Sequence, residues 1–235
     1  IVVGKDPETD LAVLKIEADN LPAISVGEPA QAKIGDVVLA IGNPYGVGQT
    51  VTQGIVSATG RNGLGLNTFE NFIQTDADIN PGNSGGALVD SYGNLLGINT
   101  ATLNQTGSAG IGFAIPADTA EKVLNDIIRY GYVVRGWLGM DAFPLTRPIA
   151  KRLNLPISQG LLVRAIYNGS PAFVVGIQPG DIVIRINGEP VTDRQTSISQ
   201  IADVAPGAPI DLEIWRQGAT FAVTAVAGIR PTSPL

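Results

Sequence analysis

Seven consecutive residues, Asn80-Pro81-Gly82-Asn83-Ser84-Gly85-Gly86, carry the most legible chemistry in this chain. A serine hydroxyl in a glycine-rich turn can be presented as a nucleophile, but it stays weak until a neighbouring base takes its proton. That base is normally histidine, and the 235 residues contain none. Gly82 lets the backbone turn tightly, so that the amides of Gly82 and Ser84, on either side of Asn83, can converge on one oxygen. Two such donors stabilise the oxyanion of a tetrahedral intermediate, which is usually the largest single catalytic contribution. Gly85 and Gly86 keep side chains out of the approach. Taken alone, the same residues also read as an ordinary glycine-rich turn. The sequence thus sets out a hydrolytic site without its base: either the chain is part of a longer protein or the site is inactive.

The elements that must hold this turn are mostly strands. Residues 37–41, 51–59, 87–89, 95–100 and 112–115 are short, aliphatic or β-branched runs bounded by Gly, Asn or Pro, which is strand patterning. Their spacing predicts a barrel. Residues 61–71, rich in Gly and Asn, are too long and polar for a simple hairpin and form a candidate functional loop. A helix follows, with Asp118 as its cap, Glu121 completing a capping box, an apolar stripe of Val123, Leu124, Ile127 and Ile128, and Gly131 as the stop. From about Gly136 a second set of strands begins, at 161–166, 181–186, 210–215 and 221–226, with a helix over 197–204. The division expected is a first domain over 1–131, a second over 132–230 and a tail over 231–235.

Composition narrows the function classes. Hydrophobic residues at 44% and charged residues at 15% describe a chain that folds around a core. A formal net charge of -6 supplies no basic stripe for phosphates and argues against nucleic-acid binding. No apolar run reaches the roughly 18–20 residues needed to span a bilayer. The start, Ile1-Val2-Val3-Gly4, does not look like a signal peptide and reads instead as the middle of a strand.

The serine motif stands among further segments: Thr9-Asp10-Leu11-Ala12-Val13-Leu14-Lys15-Ile16, Ala40-Ile41-Gly42-Asn43-Pro44, Gln74-Thr75-Asp76-Ala77 and Gly110-Ile111-Gly112-Phe113-Ala114-Ile115-Pro116. In this order they closely resemble the HtrA family of chymotrypsin-like serine proteases, in the branch of DegS and AlgW. The resemblance implies a mostly-β, trypsin-like double β-barrel with a Ser-His-Asp triad, needing no metal or other cofactor. Ser84 matches the nucleophile and Asp10 the triad aspartate, whose task is to orient and charge-stabilise the imidazole. By itself Asp10 is a surface carboxylate before a strand. In the family the histidine precedes the aspartate, and here only nine residues do, so a truncated chain is expected, inactive as it stands. The oxyanion hole maps to Gly82, Asn83 and Ser84.

For substrate, Ile98-Asn99-Thr100-Ala101 resembles the strand that pairs with the cleaved chain, and Ile79 adds to an apolar pocket for small aliphatic side chains. Asp78, six residues before Ser84, stands where trypsin-like enzymes bind Arg or Lys and is expected to face elsewhere. Tyr45, Arg61 and Leu103 fall in loops that regulate this family. Gly169-Ser170-Pro171-Ala172, Gly176-Ile177-Gln178-Pro179-Gly180-Asp181 and Ile186-Asn187-Gly188 resemble a PDZ domain. Its recognition loop would be Trp137-Leu138-Gly139-Met140, whose amides hold a peptide's terminal carboxylate while the peptide adds a strand. The resemblance further implies a periplasmic endopeptidase anchored in the inner membrane, homotrimeric at full length. C-terminal peptides of unfolded outer-membrane proteins would activate it, and it would make the first cut in an anti-sigma factor during envelope stress. The alternatives are a general quality-control protease of the same family, or a non-catalytic peptide-binding scaffold.

Overall fold

The computed structural model describes residues 1–46, 48–102 and 111–232, with only the backbone of 101 and 102. The chain divides into two compact units, Ile1–Val133 and Val134–Leu235.

The first unit opens with a hairpin, β1 (Val2–Asp6) and β2 (Leu11–Leu14), which forms its own two-stranded sheet. Six further strands follow: β3 (Val37–Gly42), β4 (Thr50–Arg61), β5 (Phe72–Thr75), β6 (Ala87–Asp90), β7 (Leu95–Thr102) and β8 (Gly112–Pro116). They close into one antiparallel barrel in the order β3-β4-β5-β8-β7-β6. Closure pairs every strand edge, and alternate side chains fill the interior. Val38, Ala40, Val56, Ile73, Ala77, Ile79, Leu88, Leu96 and Ala114 form that core. The fold expected is a double barrel with its N-terminal part missing, and the described residues close one barrel beside the β1–β2 hairpin.

Helix α1 (Ala117–Tyr130) leaves β8 directly. Its N-cap is Pro116, without a side-chain cap, and Asp118 lies in the first turn, where its carboxylate accepts from the Thr119 amide at 2.6 Å. The expected capping box does not form, because Pro116 is fixed by its pairing with Gly97 and leaves no residue between strand and helix. Of the expected stripe, Val123 and Ile127 are buried against Leu11 and Val13, whereas Leu124 and Ile128 are exposed. The helix ends at Gly131, left-handed at φ 82°, whose amide donates to the Ile127 carbonyl. Packing on α1 pins the hairpin that carries Asp10.

The second unit contains β9 (Gly136–Trp137), β10 (Met140–Pro144), α2 (Arg147–Arg152), β11 (Leu161–Ile166), α3 (Pro171–Val174), β12 (Ile182–Ile186), β13 (Glu189–Pro190), α4 (Arg194–Ala202), β14 (Pro209–Arg216), β15 (Ala219–Val226) and β16 (Gly228–Ile229). Its main sheet runs β10-β11-β12-β14-β15, with β13 on β12, and β9 pairs with β16. Ile210, Leu212 and Ile214 alternate inward along β14, as a half-buried strand requires. Helix α4 starts three residues earlier than expected, at Arg194 rather than 197, because the Asp193 carboxylate caps it by accepting the Thr196 amide at 2.7 Å. Among the described residues no helix is long and apolar enough to cross a membrane.

Candidate active site

The Ser84 turn is built almost entirely from backbone. The Asn83 amide donates to the Asn80 carbonyl at 2.9 Å and the Gly86 amide to the Asn83 carbonyl at 2.9 Å. Gly85 and Gly86 then bracket β7: the Gly85 amide donates to Asn99 at 2.7 Å, and the Asn99 amide to Gly86 at 2.8 Å. Two glycines make this geometry possible. At Gly86 a Cβ would lie 2.0 Å from the Ile41 carbonyl oxygen. At Gly82, left-handed at φ 106°, it would lie 2.3 Å from the Asn43 oxygen and 2.9 Å from the Tyr45 nitrogen. Any side chain there would force strands or loop apart.

This network sorts the three expected oxyanion residues. The Asn83 amide is already committed, and its side chain is buried, donating from Nδ2 to the Asp78 carbonyl at 3.2 Å. The amides of Gly82 and Ser84 have no acceptor among the described residues. Asn83 is therefore a structural member of the turn, and its two neighbours retain the donors an oxyanion would need.

Ser84 is exposed, and its hydroxyl donates to the Thr100 carbonyl at 2.8 Å. The Thr100 hydroxyl in turn reaches the Asp10 carboxylate at 3.5 Å. One residue of β7 thus links nucleophile and aspartate, although Asp10 lies 90 residues away in sequence. Asp10 is exposed in the turn between β1 and β2 with a left-handed backbone, φ 62°. Asp tolerates that conformation better than most residues. Beneath it, the buried Thr9 hydroxyl donates to the Asp6 carboxylate at 2.5 Å. A carbonyl cannot take the Ser84 proton, so Ser84, Thr100 and Asp10 bring the expected nucleophile and the expected triad aspartate into one chain of contacts that holds no base.

A carboxylate that the sequence did not single out organises the loop 62–71. Glu70, 4% exposed, accepts the amides of Leu64 at 2.7 Å, Leu66 at 2.6 Å and Asn67 at 3.1 Å. The loop is stitched to the Asp10 turn, with the Asn67 side chain donating to the Thr9 carbonyl at 3.0 Å and the Phe69 amide to Glu8 at 3.0 Å. The signal available was a lone acid among Gly and Asn residues, which is too weak to assign a contact. Arg61 ends β4, and its Nε donates to Gln74 Oε1 at 2.9 Å. Tyr45 is exposed, left-handed at φ 55°, and its amide donates to Pro81 at 2.9 Å, so its loop braces the turn before Ser84.

The expected substrate wall divides. Ile79 is buried in the barrel core, where its side chain closes over Gly112. Asn99 is fully buried and donates to the carbonyls of Ile41 at 3.3 Å and Ala87 at 3.1 Å, so its amide ties strands together. Ile98 is half-buried. Thr100 serves as the link to Asp10. Ala101 contributes its backbone, paired with Phe113. Asp78 is exposed, and its carbonyl accepts from the Thr52 hydroxyl at 2.8 Å. Leu103 lies outside the described residues.

In the second unit, Trp137-Leu138-Gly139-Met140 joins β9 to β10. Leu138 is a core residue, and its carbonyl accepts from the Ala172 amide at 2.8 Å. Gly139 is left-handed, and a Cβ there would lie 2.2 Å from that of Ser170, whose hydroxyl donates to the Gly139 carbonyl at 3.1 Å. Trp137 packs on Tyr167 with ring centroids 5.8 Å apart. The carbonyls of this turn are thus held inward.

Comparison with known proteins places these units. Residues 1–98 match the trypsin-like peptidase domain and residues 162–216 the PDZ domain. The probable periplasmic serine endoprotease DegP-like of Brucella suis is 44% identical over 219 residues, covering 92% of this chain and 42% of the relative. The serine endoprotease DegS of Salmonella typhimurium is 45% identical over 234 residues, covering 95% of this chain and 65% of the relative. The chain therefore spans about two-fifths of the DegP-like relative and less than two thirds of DegS. Among solved structures, the HtrA-type protease AlgW with decapeptide superposes with a TM-score of 0.89 at 53% identity, covering 98% of this chain and 71% of that one.

Proposed function

The chain belongs to the HtrA family of serine proteases, and on that premise we propose that it is the nucleophile-bearing and peptide-binding part of a periplasmic serine endopeptidase. The observation that carries this reading is the hydrogen-bonded path from Ser84 through Thr100 to Asp10, beside two free turn amides. Ser84 attacks the peptide carbonyl, the amides of Gly82 and Ser84 hold the resulting oxyanion, and Asp10 orients and stabilises an imidazolium. The imidazole has to come from outside these 235 residues. Residues 1–131 act as the protease domain, 132–230 as the PDZ domain and 231–235 as a tail. The half-buried Ile98 suits a small aliphatic side chain at the cleaved position, with Asp78 turned to solvent.

The second unit supplies regulation. A peptide carboxylate docks at 137–140 and the peptide adds to β10. Tyr45, Arg61 and Leu103 belong to the loops that relay occupancy to the Ser84 turn, and the bond from the Tyr45 amide to Pro81 supports a direct brace on that turn. A peptide can shift the site only through its differential affinity for the active state. The assembly in this reading is an inner-membrane-anchored homotrimer. C-terminal peptides of unfolded outer-membrane proteins activate it, and the first cut in a membrane anti-sigma factor is its output.

The test is fluorophosphonate labelling of the protein expressed from its natural start codon. Labelling that Ser84→Ala abolishes, and that a C-terminal peptide accelerates, is the expected result. Absence of labelling in the presence of peptide overturns the enzymatic reading.

A further inference from the structure

Three Asn-Gly pairs stand in this chain, at 62–63, 168–169 and 187–188. In such a pair the glycine nitrogen can attack the asparagine side-chain carbonyl, because no Cβ on the glycine obstructs the approach. Whether it does so depends on how firmly the surrounding fold holds both partners. The fold holds the three pairs very differently.

Asn187 is clamped in the turn between the paired residues Ile186 and Glu189. Its amide donates to the Asp211 carbonyl at 2.7 Å, and its Oδ1 accepts the Asp211 amide at 2.9 Å. The Gly188 carbonyl accepts from Arg185 at 2.8 Å. Asn168 lies in a turn closed by the Ser170 amide on the Tyr167 carbonyl at 3.1 Å, and the Tyr167 amide is held by Gly139 at 2.9 Å. Asn62 and Gly63 are exposed and fall between two fixed segments. Strand β4 ends at Arg61, and the Glu70 carboxylate takes hold of the chain again at the Leu64 amide. The Gly63 amide has no acceptor among the described residues. The Asn62 carboxamide makes one bond there, from Nδ2 to the Gly60 carbonyl at 3.3 Å. Left-handed glycines at 60, 63 and 65 give this stretch a backbone that few other residues would adopt.

We propose that Asn62 is a site of spontaneous deamidation, through a succinimide closed with Gly63. The Gly63 nitrogen loses its proton and bonds to the Asn62 side-chain carbonyl carbon. The bond from that carbon to Nδ2 breaks, and the nitrogen leaves as ammonia with the proton that Gly63 gave up. Solvent water then opens the five-membered ring at either carbonyl, leaving aspartate or isoaspartate. The sum is hydrolysis of one amide, with no oxidant or reductant. Either product puts a carboxylate beside Arg61, and isoaspartate adds a methylene to the main chain between β4 and the segment gathered by Glu70. That segment is bonded to Thr9 and Glu8, so the change falls on a loop that braces the Asp10 turn.

The experiment incubates the 235-residue chain at 37 °C in mildly alkaline buffer, folded or in urea, and follows each Asn-Gly pair by peptide mapping and mass spectrometry. In the folded chain Asn62 should convert first, with Asn168 behind it. Asn187 should lag Asn62 by about tenfold or more, the worth of its two bonds to Asp211. In urea the three rates should draw together, because the fold no longer separates them. Isoaspartate should appear among the products at 62, and the rate should climb with pH as the attacking nitrogen loses its proton more readily. Asn62→Gln should remove the first acidic species seen on ion exchange. Conversion of Asn62 no faster than Asn187 in the folded chain overturns the assignment, and so does an early acidic species that survives Asn62→Gln. Aspartate as the sole product at 62 overturns the ring closure with Gly63.

Discussion

Asp10 and Asp181 each stand directly before a strand, and the fold treats them in opposite ways. Asp181, 1% exposed at the entry to β12, accepts Nε and Nη2 of Arg216 at 2.6 and 2.7 Å and the Gln178 amide at 2.8 Å. Arg216 makes a further bond to the Gly176 carbonyl at 2.8 Å, and its guanidinium lies 5.0 Å from the Phe221 ring centroid. The hydrogen bond to Asp181 holds the guanidinium above its ordinary range, against the opposing effect of burial. Asp10 is exposed, sits on a left-handed backbone and receives one hydroxyl at 3.5 Å. A carboxylate with both oxygens engaged by buried partners fixes a fold. One with acceptor capacity left over can still serve a cationic partner in a reaction.

Five substitutions sharpen or break that contrast. The largest effect is expected for Asp181→Ala, which strands a partly buried guanidinium and should cost the second unit about 3 kcal/mol, seen as a lower urea midpoint. Asp10→Asn should change stability by less than about 0.5 kcal/mol in the same titration, so an equal loss at both positions would dissolve the distinction. Gly86→Ala comes next, since its Cβ would sit 2.0 Å from the Ile41 oxygen; overpacking of this kind costs about 1–3 kcal/mol and should separate β3 from the Ser84 turn in amide exchange. Glu70→Gln should weaken three amide bonds, cost about 1–2 kcal/mol and open the loop 62–71 to limited proteolysis. The smallest effect is expected at Asp193. Burial pulls its carboxyl upward, but the bonds from Thr196 and Thr192 outweigh that and hold it below the ordinary carboxylate range. Its contribution to α4 is therefore complete above about pH 4 and lost as pH falls through the lowered value. Asp193→Asn should flatten that acid limb in a helix-sensitive unfolding scan.

Much of the framework was legible because local rules act over short spans. The strands of the barrel and Gly131 as the stop of α1 follow from side-chain type and turn residues. The failures came where tertiary pairing overrode a local preference. Pairing of Pro116 with Gly97 displaced the Asp118 cap. Leu124 and Ile128 look like part of an apolar stripe, yet the β1–β2 hairpin covers only the Val123 and Ile127 side of α1. Asn99 lies in the strand that the resemblance pairs with substrate, and strand alternation turns its side-chain amide into the barrel, which the spacing alone does not reveal.

The sequence by itself determined the Ser84 turn, since Gly82 and Gly86 dictate where backbone can approach backbone within a few residues. It also determined the charge and composition that argue against a nucleic-acid partner. Only the tertiary structure decided that Thr100 joins Ser84 to Asp10, that Glu70 gathers the loop 62–71, and that Arg194 covers Ala142. Residue spacing cannot reveal these contacts. The Thr100–Asp10 and Arg194–Ala142 contacts span 90 and 52 residues, and strand register and helix packing set them when the barrel and the second sheet form.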